Sequence, residues 1–197
     1  MASMLVIASS NAGKVREFGH LLAELQLKIR PQPEGLEVEE TGDTFAANAR
    51  LKASAVARAS GCWALADDSG LSVKALGGAP GVHSARYAET DAARIARLLR
   101  SLAGASDRSA RFTAALAVAD PSGAIRLEVE GSCSGVILEE SRGTEGFGYD
   151  PVFFVPEAGL TYAEMDKALK GRIGHRGQAF ALLAPQLQVL LDTDCGS

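Results

Sequence analysis

The chain has 197 residues, of which 47% are hydrophobic and 22% charged, a length and composition typical of one globular domain. Its formal net charge of −4 provides no general attraction to nucleic acid or to an anionic membrane, so a phosphate-bearing ligand must be bound by a local group of cations. Cys62, Cys133 and Cys195 are far apart, and no signal sequence or long apolar run is present, which argues against a disulfide framework, a zinc ribbon and a membrane span and predicts a cytoplasmic protein.

The first part of the chain alternates predicted strands and helices. Residues 4–8 form a short apolar strand, and residues 14–25 carry apolar side chains at helical spacing. A second strand is expected at residues 27–30. Residues 43–44 can cap a helix that continues to a stop at Gly61. This alternation is typical of an α/β fold.

An acidic pentad follows the next apolar segment. Residues 63–66 predict a buried strand, and we expect the chain to turn sharply at Asp67-Asp68-Ser69-Gly70-Leu71, which comes directly after it. Another strand is expected at residues 71–76. Thr90 then caps an amphipathic helix that ends at Gly104.

The last part of the chain predicts a hairpin, a strand and a helix. Residues 112–118 and 125–129 alternate apolar and other side chains on both sides of a turn, as in an antiparallel hairpin. A strand is expected at residues 151–155 and a helix at residues 176–191, where Pro185 should end a turn or kink the helix. Strands and helices alternate in the first part of the chain, and hairpins dominate in the last part. Together these patterns predict a mixed sheet flanked by helices.

Two adjacent carboxylates in the pentad are candidates for a site. Successive side chains of a strand point to opposite faces, so Asp67 and Asp68 can have different roles. Two carboxylates about 4 Å apart repel by roughly 1 kcal/mol in water and about 4 kcal/mol at an effective dielectric constant of 20. A bound cation, a shared proton or exposure must offset this repulsion. The same residues also suit a simple Asx turn that closes a strand.

Two further segments could bind phosphate and a metal ion. Residues 9–14 place small hydroxyls, a helix start and the Lys14 ammonium together, although they lack the P-loop spacing and also suit an ordinary capped turn. Glu39 and Glu40 precede a helix, and their carboxylate oxygens suit Mg²⁺, which usually takes one or two carboxylates. The alternative is that both glutamates are solvated and interact only with the dipole of the helix that follows.

A third segment combines aromatic rings with cations. Residues 147–150 offer aromatic faces on a flexible backbone, as a site for a stacked base would. Lys170, Arg172, His175 and Arg176 form the most cationic group of the chain. Packing of the aromatic rings and solvation of the cations are the ordinary alternatives.

These motifs occur together in an order that closely resembles the inosine triphosphate pyrophosphatase family. The resemblance extends from residue 5 to about residue 183 and rests on Ser9-x-Asn11-x-Gly13-Lys14, Glu39-Glu40-Thr41-Gly42, Ala66-Asp67-Asp68-Ser69-Gly70-Leu71, Gly77-Gly78-Ala79-Pro80-Gly81 with Ser84-Ala85-Arg86-Tyr87, Gly146-Phe147-Gly148-Tyr149-Asp150-Pro151 and His175-Arg176-Gly177. It implies hydrolysis of ITP, dITP and XTP to the monophosphate and pyrophosphate by one domain that spans residues 1–197. It also implies an elongated two-lobed fold with a central nucleotide cleft, and a homodimer.

The resemblance also implies roles for individual residues. Glu39 and Asp68 would bind Mg²⁺, and Asp68 would accept the proton of the attacking water, with Asp67 as its support. The substrate would be bound by Ser9, Ser10, Asn11, Ala12, Gly13, Lys14, Ser69, Phe147, Gly148, Tyr149, Asp150, Lys170, His175 and Arg176. Lys14 would neutralise charge on the leaving pyrophosphate. A donor from residues 175–176 or from the backbone would pair with O6 of the purine, where adenine presents an amino group.

Three positions depart from the family pattern. Ala47 replaces a common Glu, Gly174 replaces a common Ser before His175, and His83 stands where Tyr is frequent. Selectivity among purines is the property that Gly174 affects most directly. A general triphosphate phosphohydrolase that releases orthophosphate, and a nucleotide-binding regulator without turnover, are the alternative functions.

Overall fold

The computed structural model describes residues 4–23, 25 and 27–194, with side chains up to residue 191. Cys195 therefore lies outside the described residues. In this described part of the chain, seven strands and five α-helices follow one another as β1 (Met4–Ile7), α1 (Ala12–Leu21), β2 (Lys28–Pro31), α2 (Phe45–Ser60), β3 (Trp63–Val73), α3 (Asp91–Ser101), β4 (Ser109–Ala119), β5 (Ile125–Ile137), β6 (Phe153–Val155), β7 (Leu160–Thr161), α4 (Lys167–Ile173) and α5 (His175–Asp194). Two 3₁₀-helices, Lys74–Leu76 and Gly81–Arg86, connect β3 to α3.

The strands form one mixed sheet in the order β2-β1-β3-β4-β5-β6-β7. β1 pairs in parallel with both β2 and β3, and α1 and α2 provide the crossovers that parallel strands require. Residues 120–124 join the neighbouring strands β4 and β5, a connection too short for anything but an antiparallel pair. β6 is antiparallel to both β5 and β7. The predicted mixed sheet with flanking helices is confirmed.

Capping side chains begin the first two helices, of which α2 starts where it was predicted, whereas α1 begins two residues earlier and ends four residues earlier than the predicted range 14–25. The Asn11 Oδ1 accepts hydrogen bonds from the amides of Gly13 (2.8 Å) and Lys14 (3.1 Å) and begins α1. Thr44 caps α2 in the same way through the amide of Ala47 at 3.1 Å. Gly61 ends α2 with φ at 63°, a left-handed conformation that costs glycine little.

The expected turn in the acidic pentad is wrong. β3 continues without interruption from Trp63 to Val73, so Asp67 and Asp68 lie inside a strand, and no separate strand follows at residues 71–76. Both carboxylates are buried and paired with lysine ammonium groups. These ion pairs offset the repulsion between the two carboxylates, which exposure in a turn would otherwise have relieved. Tertiary contacts therefore outweigh the low strand propensity of Asp and Gly.

Three other elements differ from expectation or were not predicted. The helix α5 continues through Pro185, with Leu183 buried before it and Leu187 and Leu191 buried after it, so of the two predicted effects of Pro185 the end of the helix is not seen. β7 and α4 have only 2 and 7 residues, too few for a periodic pattern to be recognised.

Within the described ranges, no helix has both the length and the apolar character needed to cross a membrane.

The contacts within the chain divide it into two compact units. The first unit comprises Met1–Asp68, Ala115–Gly131 and Ala179–Ser197. Its core between α2 and the strands is rich in alanine, with Ala53, Ala64 and Ala117 among the buried residues.

The second unit comprises Ser69–Ala114 and Ser132–Gln178. Its core is built around larger side chains, which include Phe112, Phe153 and Tyr162. The rings of Phe112 and Phe153 meet edge to face with centroids 4.7 Å apart. The aromatic residues of this unit therefore form a packed core of their own.

Candidate active site

The predicted site residues form two groups, one within each unit. In the first unit, Lys14, Glu40, Lys52, Asp67 and Asp68 form a set that we call the acidic cluster. In the second unit, a set that we call the aromatic–basic cluster consists of Phe147, Asp150, Tyr162, Lys170, His175 and Arg176.

The Asp68 carboxylate is held on both oxygens by side chains of α2. Its Oδ1 accepts a hydrogen bond from Lys52 Nζ at 2.8 Å, and its Oδ2 accepts one from Asn48 Nδ2 at 3.3 Å. Asn48 and Lys52 are four residues apart and therefore share one face of the helix. The Asn48 Oδ1 in turn accepts from the amide of Gly42 at 2.7 Å. A Cβ atom at Gly42 would lie 2.7 Å from this oxygen, so the contact requires glycine.

Asp67 has a different partner from its neighbour. Its Oδ2 lies 2.8 Å from Lys14 Nζ, and its backbone oxygen accepts a hydrogen bond from Lys52 Nζ at 2.9 Å. Each carboxylate therefore has its own ammonium group. Of the three ways to offset the repulsion between Asp67 and Asp68, the described residues provide cations, and these cations are lysines of α1 and α2.

The two glutamates of the second acidic pair are placed differently. Lys52 Nζ donates to Glu40 Oε1 at 2.9 Å and so joins Glu40 to Asp68. The Glu39 side chain is exposed, and among the described residues it makes no hydrogen bond or ion pair. Glu40 thus belongs to the acidic cluster, whereas Glu39 points its carboxylate to solvent.

Burial and ion pairing change the acidity of this cluster. Burial raises the pKa of Asp68 above its ordinary value, although Lys52 and Lys14 oppose the change. Burial alone would lower the pKa of Lys52, but the ion pairs with Asp68 and Glu40 outweigh it, so this pKa is raised. Lys52 is therefore an ammonium at neutral pH, and Asp68 is a stronger base than an exposed aspartate.

The start of α1 is largely occupied by its own capping bonds. The amides of Gly13 and Lys14 donate to Asn11, and the amide of Asn11 donates to Ser9 Oγ at 3.1 Å. Ser10 and Ala12 are exposed. The Lys14 ammonium and the small hydroxyls of this loop are thus the groups best placed to meet an anion.

In the second unit, Asp150 organises the aromatic–basic cluster. Its Oδ2 accepts hydrogen bonds from the amide of Phe147 at 2.9 Å and from Lys170 Nζ at 2.6 Å. Burial raises the pKa of Asp150, and Lys170 opposes this change. Gly146 has φ at 79°, and a Cβ atom there would collide with the Asp150 carboxylate. The loop therefore needs glycine at this position.

Cations surround the Phe147 ring. Lys170 Nζ lies 5.6 Å and the Arg176 guanidinium 5.4 Å from its centroid. Arg176 also donates from Nη2 to Ser69 Oγ at 2.6 Å. The Gly148 amide donates to Asp91 Oδ2 at 2.7 Å. These contacts place Ser69, Phe147, Lys170 and Arg176 together within the second unit.

Tyr149 is buried in the core instead of lining an open surface. Its hydroxyl donates to the backbone oxygen of Ser84 at 2.9 Å, and burial raises its pKa. Its backbone oxygen accepts the amides of Val152 and Phe153, so Tyr149 serves this loop through its packing.

His175 lies in a stack of rings. Its imidazole is 4.7 Å from the Phe112 ring at an interplanar angle of 13°, and 5.8 Å from the Tyr162 ring at 10°. The preceding residue, Gly174, donates its amide to Lys170 O at 2.8 Å. A Cβ atom at position 174 would lie 2.5 Å from that oxygen, so a serine here would require the backbone to move.

Sequence reasoning missed Lys52 and Tyr162 of these clusters, and Asn48, which donates to Asp68. Asn48 and Lys52 interrupt the alanine-rich buried face of α2 at a spacing of four residues, and two polar side chains on an apolar face are a signal that could have found them. Tyr162 has no such signal, because a tyrosine beside a short strand usually just packs.

Loss of the Lys170 ammonium is expected to destabilise the protein in a pH-dependent way. The Lys170 and Asp150 side chains are only 14% and 6% exposed, and breaking a buried pair on one side typically costs about 3 kcal/mol or more. In Lys170→Met, the pKa of Asp150 rises further above its unfolded value. Between these two pKa values the folded state binds more protons, so the free energy of unfolding falls as pH rises. Urea unfolding should show a larger loss at pH 8 than at pH 5.

Lys74→Met is the matched control for this prediction. Lys74 pairs with Asp107 at 3.0 Å, but these side chains are 77% and 45% exposed. Solvent screens an exposed pair, so its loss should change the free energy of unfolding little at either pH. Equal losses in the two variants would contradict the importance assigned to the Asp150 pair.

The candidate metal ligands among the described residues are carboxylates of the acidic cluster. Over the ranges that the structure describes, no three side chains among His, Cys, Asp and Glu are grouped as a metal site. Each carboxylate oxygen of Asp68 accepts one of the hydrogen bonds described above, and its second lone pair could bind a metal ion. Carboxylate oxygens are ligands that Mg²⁺ accepts, and a magnesium ion that keeps most of its ligands as water and phosphate would need only one or two of them, in competition with Lys52 for Asp68.

Comparisons with known proteins give one consistent result. The sequence pattern of the Ham1 family matches residues 5–186. A dITP/XTP pyrophosphatase of Synechococcus sp. (strain CC9311) is 62% identical over 98% of this chain and 94% of its own length. A dITP/XTP pyrophosphatase of Nostoc sp. (strain PCC 7120) is 54% identical over 98% of each chain.

Solved structures agree with these relatives. A HAM1 protein from Coxiella burnetii superposes with a TM-score of 0.85 at 45% identity and covers 94% of this chain and 98% of its own. The Ham1 protein of Staphylococcus aureus has a TM-score of 0.82 at 39% identity and covers 98% of this chain and 100% of its own. The resemblance seen in the motifs is confirmed, and the chain belongs to the Ham1 family.

Proposed function

We propose that this protein hydrolyses the non-standard purine nucleoside triphosphates ITP, dITP and XTP to the monophosphate and pyrophosphate, and so removes deaminated purines from the nucleotide pool. The observation that carries the proposal is the buried Asp68 carboxylate, held between Lys52 and Asn48 beside a second Asp–Lys pair. Relatives that are 62% and 63% identical to the chain bear the name dITP/XTP pyrophosphatase, which supports the choice of substrate.

The proposed cofactor is Mg²⁺, bound by Glu39 and Asp68. Exposure of Glu39 suits a ligand that shares the ion with water and substrate phosphates. A bound magnesium ion would neutralise charge on the phosphate oxygens and orient the substrate. Asp67 would support Asp68 indirectly, because it holds the Lys14 ammonium at 2.8 Å.

The chemistry of the chain's own residues follows from their charges. Asp68 accepts the proton of the water that attacks the α-phosphorus, a role that its raised pKa favours. Lys14 neutralises charge on the leaving pyrophosphate, and the hydroxyls of Ser9 and Ser10 bind the same phosphates. Lys52 keeps the Asp68 carboxylate oriented. The remaining loop residues, Asn11, Ala12 and Gly13, shape the helix start that carries Lys14.

The base is proposed to bind at the aromatic–basic cluster. The Phe147 ring provides a face for stacking, and Lys170 and Arg176 already lie near it at 5.6 and 5.4 Å. His175 provides a donor for O6, while Gly148, Tyr149 and Asp150 set the loop and Ser69 holds Arg176. A donor in front of the adenine amino group leaves both groups unpaired, which can discriminate by about 10⁴.

A homodimer and a cytoplasmic location complete the proposal. Leu182 and Val189 are 55% and 64% exposed and lie seven residues apart, hence on one face of α5. These two side chains suit contact with a second copy of the chain. Sedimentation velocity at increasing protein concentration measures whether the dimer forms.

The proposed cytoplasmic location agrees with the thiols. Cys62 and Cys133 are free, as in proteins of a reducing compartment.

Product identification tests the proposal most directly. The protein is incubated with Mg²⁺ and equal concentrations of ITP, dITP, XTP, GTP and ATP, and monophosphate, pyrophosphate and orthophosphate are measured. We expect pyrophosphate as the first product, with the three non-standard nucleotides ahead of GTP and ATP, and no turnover after chelation of the metal. Orthophosphate as the first product would indicate a general phosphohydrolase, and no turnover a regulator; either result contradicts the proposal.

A further inference from the structure

The loop that carries Phe147 has a glycine on each side of that residue. Gly146 and Gly148 have φ at 79° and 64°, in the left-handed region that glycine enters at little cost. Glycine also loses the most conformational freedom on folding, so a loop with two glycines is costly to hold in one conformation. The Phe147 ring is only half-buried. Its direction therefore depends strongly on what holds the backbone on either side of it.

Two carboxylates hold consecutive amides of this loop. The Phe147 amide donates to Asp150 Oδ2 at 2.9 Å, and the Gly148 amide donates to Asp91 Oδ2 at 2.7 Å. These amides precede and follow the Phe147 Cα, so the two hydrogen bonds together restrict φ and ψ of Phe147. Asp150 is part of the same loop, whereas Asp91 is 57 residues from Gly148 and belongs to α3. Asp91 thus ties the loop to a separate element of the second unit.

Asp91 is itself held in place at the start of α3. Its Oδ1 accepts a hydrogen bond from Arg94 Nη1 at 2.6 Å, and Arg94 Nε donates to the backbone oxygen of Ala88 at 2.9 Å. The two side chains are three residues apart and therefore neighbours on the helix surface. The guanidinium fixes one oxygen of the carboxylate, and the other oxygen is presented to the Gly148 amide.

We propose that Asp91 is a positioning residue for the purine base: through the Gly148 amide it fixes the direction of the Phe147 ring on which the base stacks. The inference rests on the proposed function in one respect, the stacking of the base on Phe147. In this role Asp91 acts through the loop and takes no part in the reaction at phosphorus. It should therefore affect how tightly a nucleotide binds through its base, and leave the rate of the bound nucleotide unchanged.

Binding of two ligands that differ in the base tests this role. The Asp91 side chain is 46% exposed, so Asp91→Ala leaves no buried cavity. We expect the affinity of this variant for dIMP, measured by calorimetry, to fall by about 3- to 10-fold, a part of what one stacked base contributes, because the ring remains but loses its fixed direction. Inorganic tripolyphosphate has no base and should bind as it does to the wild-type protein.

Steady-state kinetics with dITP give a second readout. In Asp91→Ala, KM should rise by the factor that the dIMP affinity falls, and kcat should stay the same, because the lost interaction is equally strong in the ground state and in the transition state. Glu89→Ala is the matched control, since it removes an exposed carboxylate two residues away. It should change neither KM nor the affinity for either ligand.

The contribution of Arg94 is tested by a double variant. Arg94→Met should weaken dIMP binding less than Asp91→Ala does, because the carboxylate remains but is no longer held. If Arg94 acts through Asp91, the double variant should bind dIMP no more weakly than Asp91→Ala alone.

The hydrogen bond can also be followed without any ligand. In ¹⁵N-labelled protein, the Gly148 amide should exchange its hydrogen with solvent faster in Asp91→Ala than in the wild-type protein or in Glu89→Ala. An exchange rate that Asp91→Ala leaves unchanged would overturn the inference.

These outcomes separate the inference from the proposed function. Unchanged dIMP affinity in Asp91→Ala, or equal losses for dIMP and tripolyphosphate, overturns the role of Asp91 even if the protein is an active pyrophosphatase. The same holds if dIMP does not bind to the wild-type protein. A loss confined to dIMP supports the role even if the triphosphate assay shows no pyrophosphate release.

Discussion

Asp68→Asn is expected to lower the turnover of dITP by at least about 100-fold. The asparagine keeps the size of the side chain but cannot accept the proton of the attacking water, and a positioned base is typically worth 10²- to 10⁴-fold. The change also removes one negative oxygen from the proposed magnesium ligands. Initial rates of pyrophosphate release at saturating dITP and Mg²⁺ measure the effect.

Two comparisons separate these explanations. A magnesium titration of Asp68→Asn should leave the rate low, because lost metal affinity is recovered at high Mg²⁺ whereas a lost base is not. Asp107→Asn, at an exposed aspartate that is 45% accessible, is the matched control and should keep normal turnover. Near-normal activity of Asp68→Asn at any magnesium concentration would contradict the assignment of Asp68 as base.

The early strands and helices could be predicted because their signals are local. Thr44 and Gly61 mark the two ends of α2 by capping chemistry that needs no knowledge of the rest of the chain. The hairpin of β4 and β5 follows from alternation around a turn that Asp120 closes with its own side chain. Such interactions depend on residues a few positions apart.

The acidic pentad shows where local reasoning fails. Its residues favour a turn, and the nearest cation in the sequence, Lys74, pairs with the exposed Asp107 instead. The partners that keep it in a strand are Lys14 and Lys52, 53 and 16 residues away. Pairing over such distances depends on the sheet order, which composition does not determine. The motif order still identified Asp68 as a candidate, since the family resemblance carries that long-range information.

Lys52→Met is expected to affect both stability and activity strongly. The Lys52 side chain is 13% exposed, and its ammonium donates to Glu40, to Asp68 and to the backbone of Asp67. Its loss leaves the carboxylates of Glu40 and Asp68 without the cation that they share. Removing one partner of a mostly buried ion pair typically lowers the free energy of unfolding by about 3 kcal/mol. Turnover of dITP should fall by about 100-fold or more, because Asp68 loses the contact that orients it. Urea unfolding and initial rates measure the two effects.

A double variant distinguishes an orienting role from an independent catalytic one. If Lys52 acts through Asp68, then Lys52→Met combined with Asp68→Asn should be no less active than Asp68→Asn alone, because the effects of residues that act as a unit are not additive. The double variant should also be more stable than Lys52→Met, since a neutral asparagine needs no cation. Lys28→Met, at an exposed position of β2, controls for the loss of charge and should behave as the wild-type protein. A double variant that loses the product of the two single effects would show that Lys52 contributes to turnover independently of Asp68.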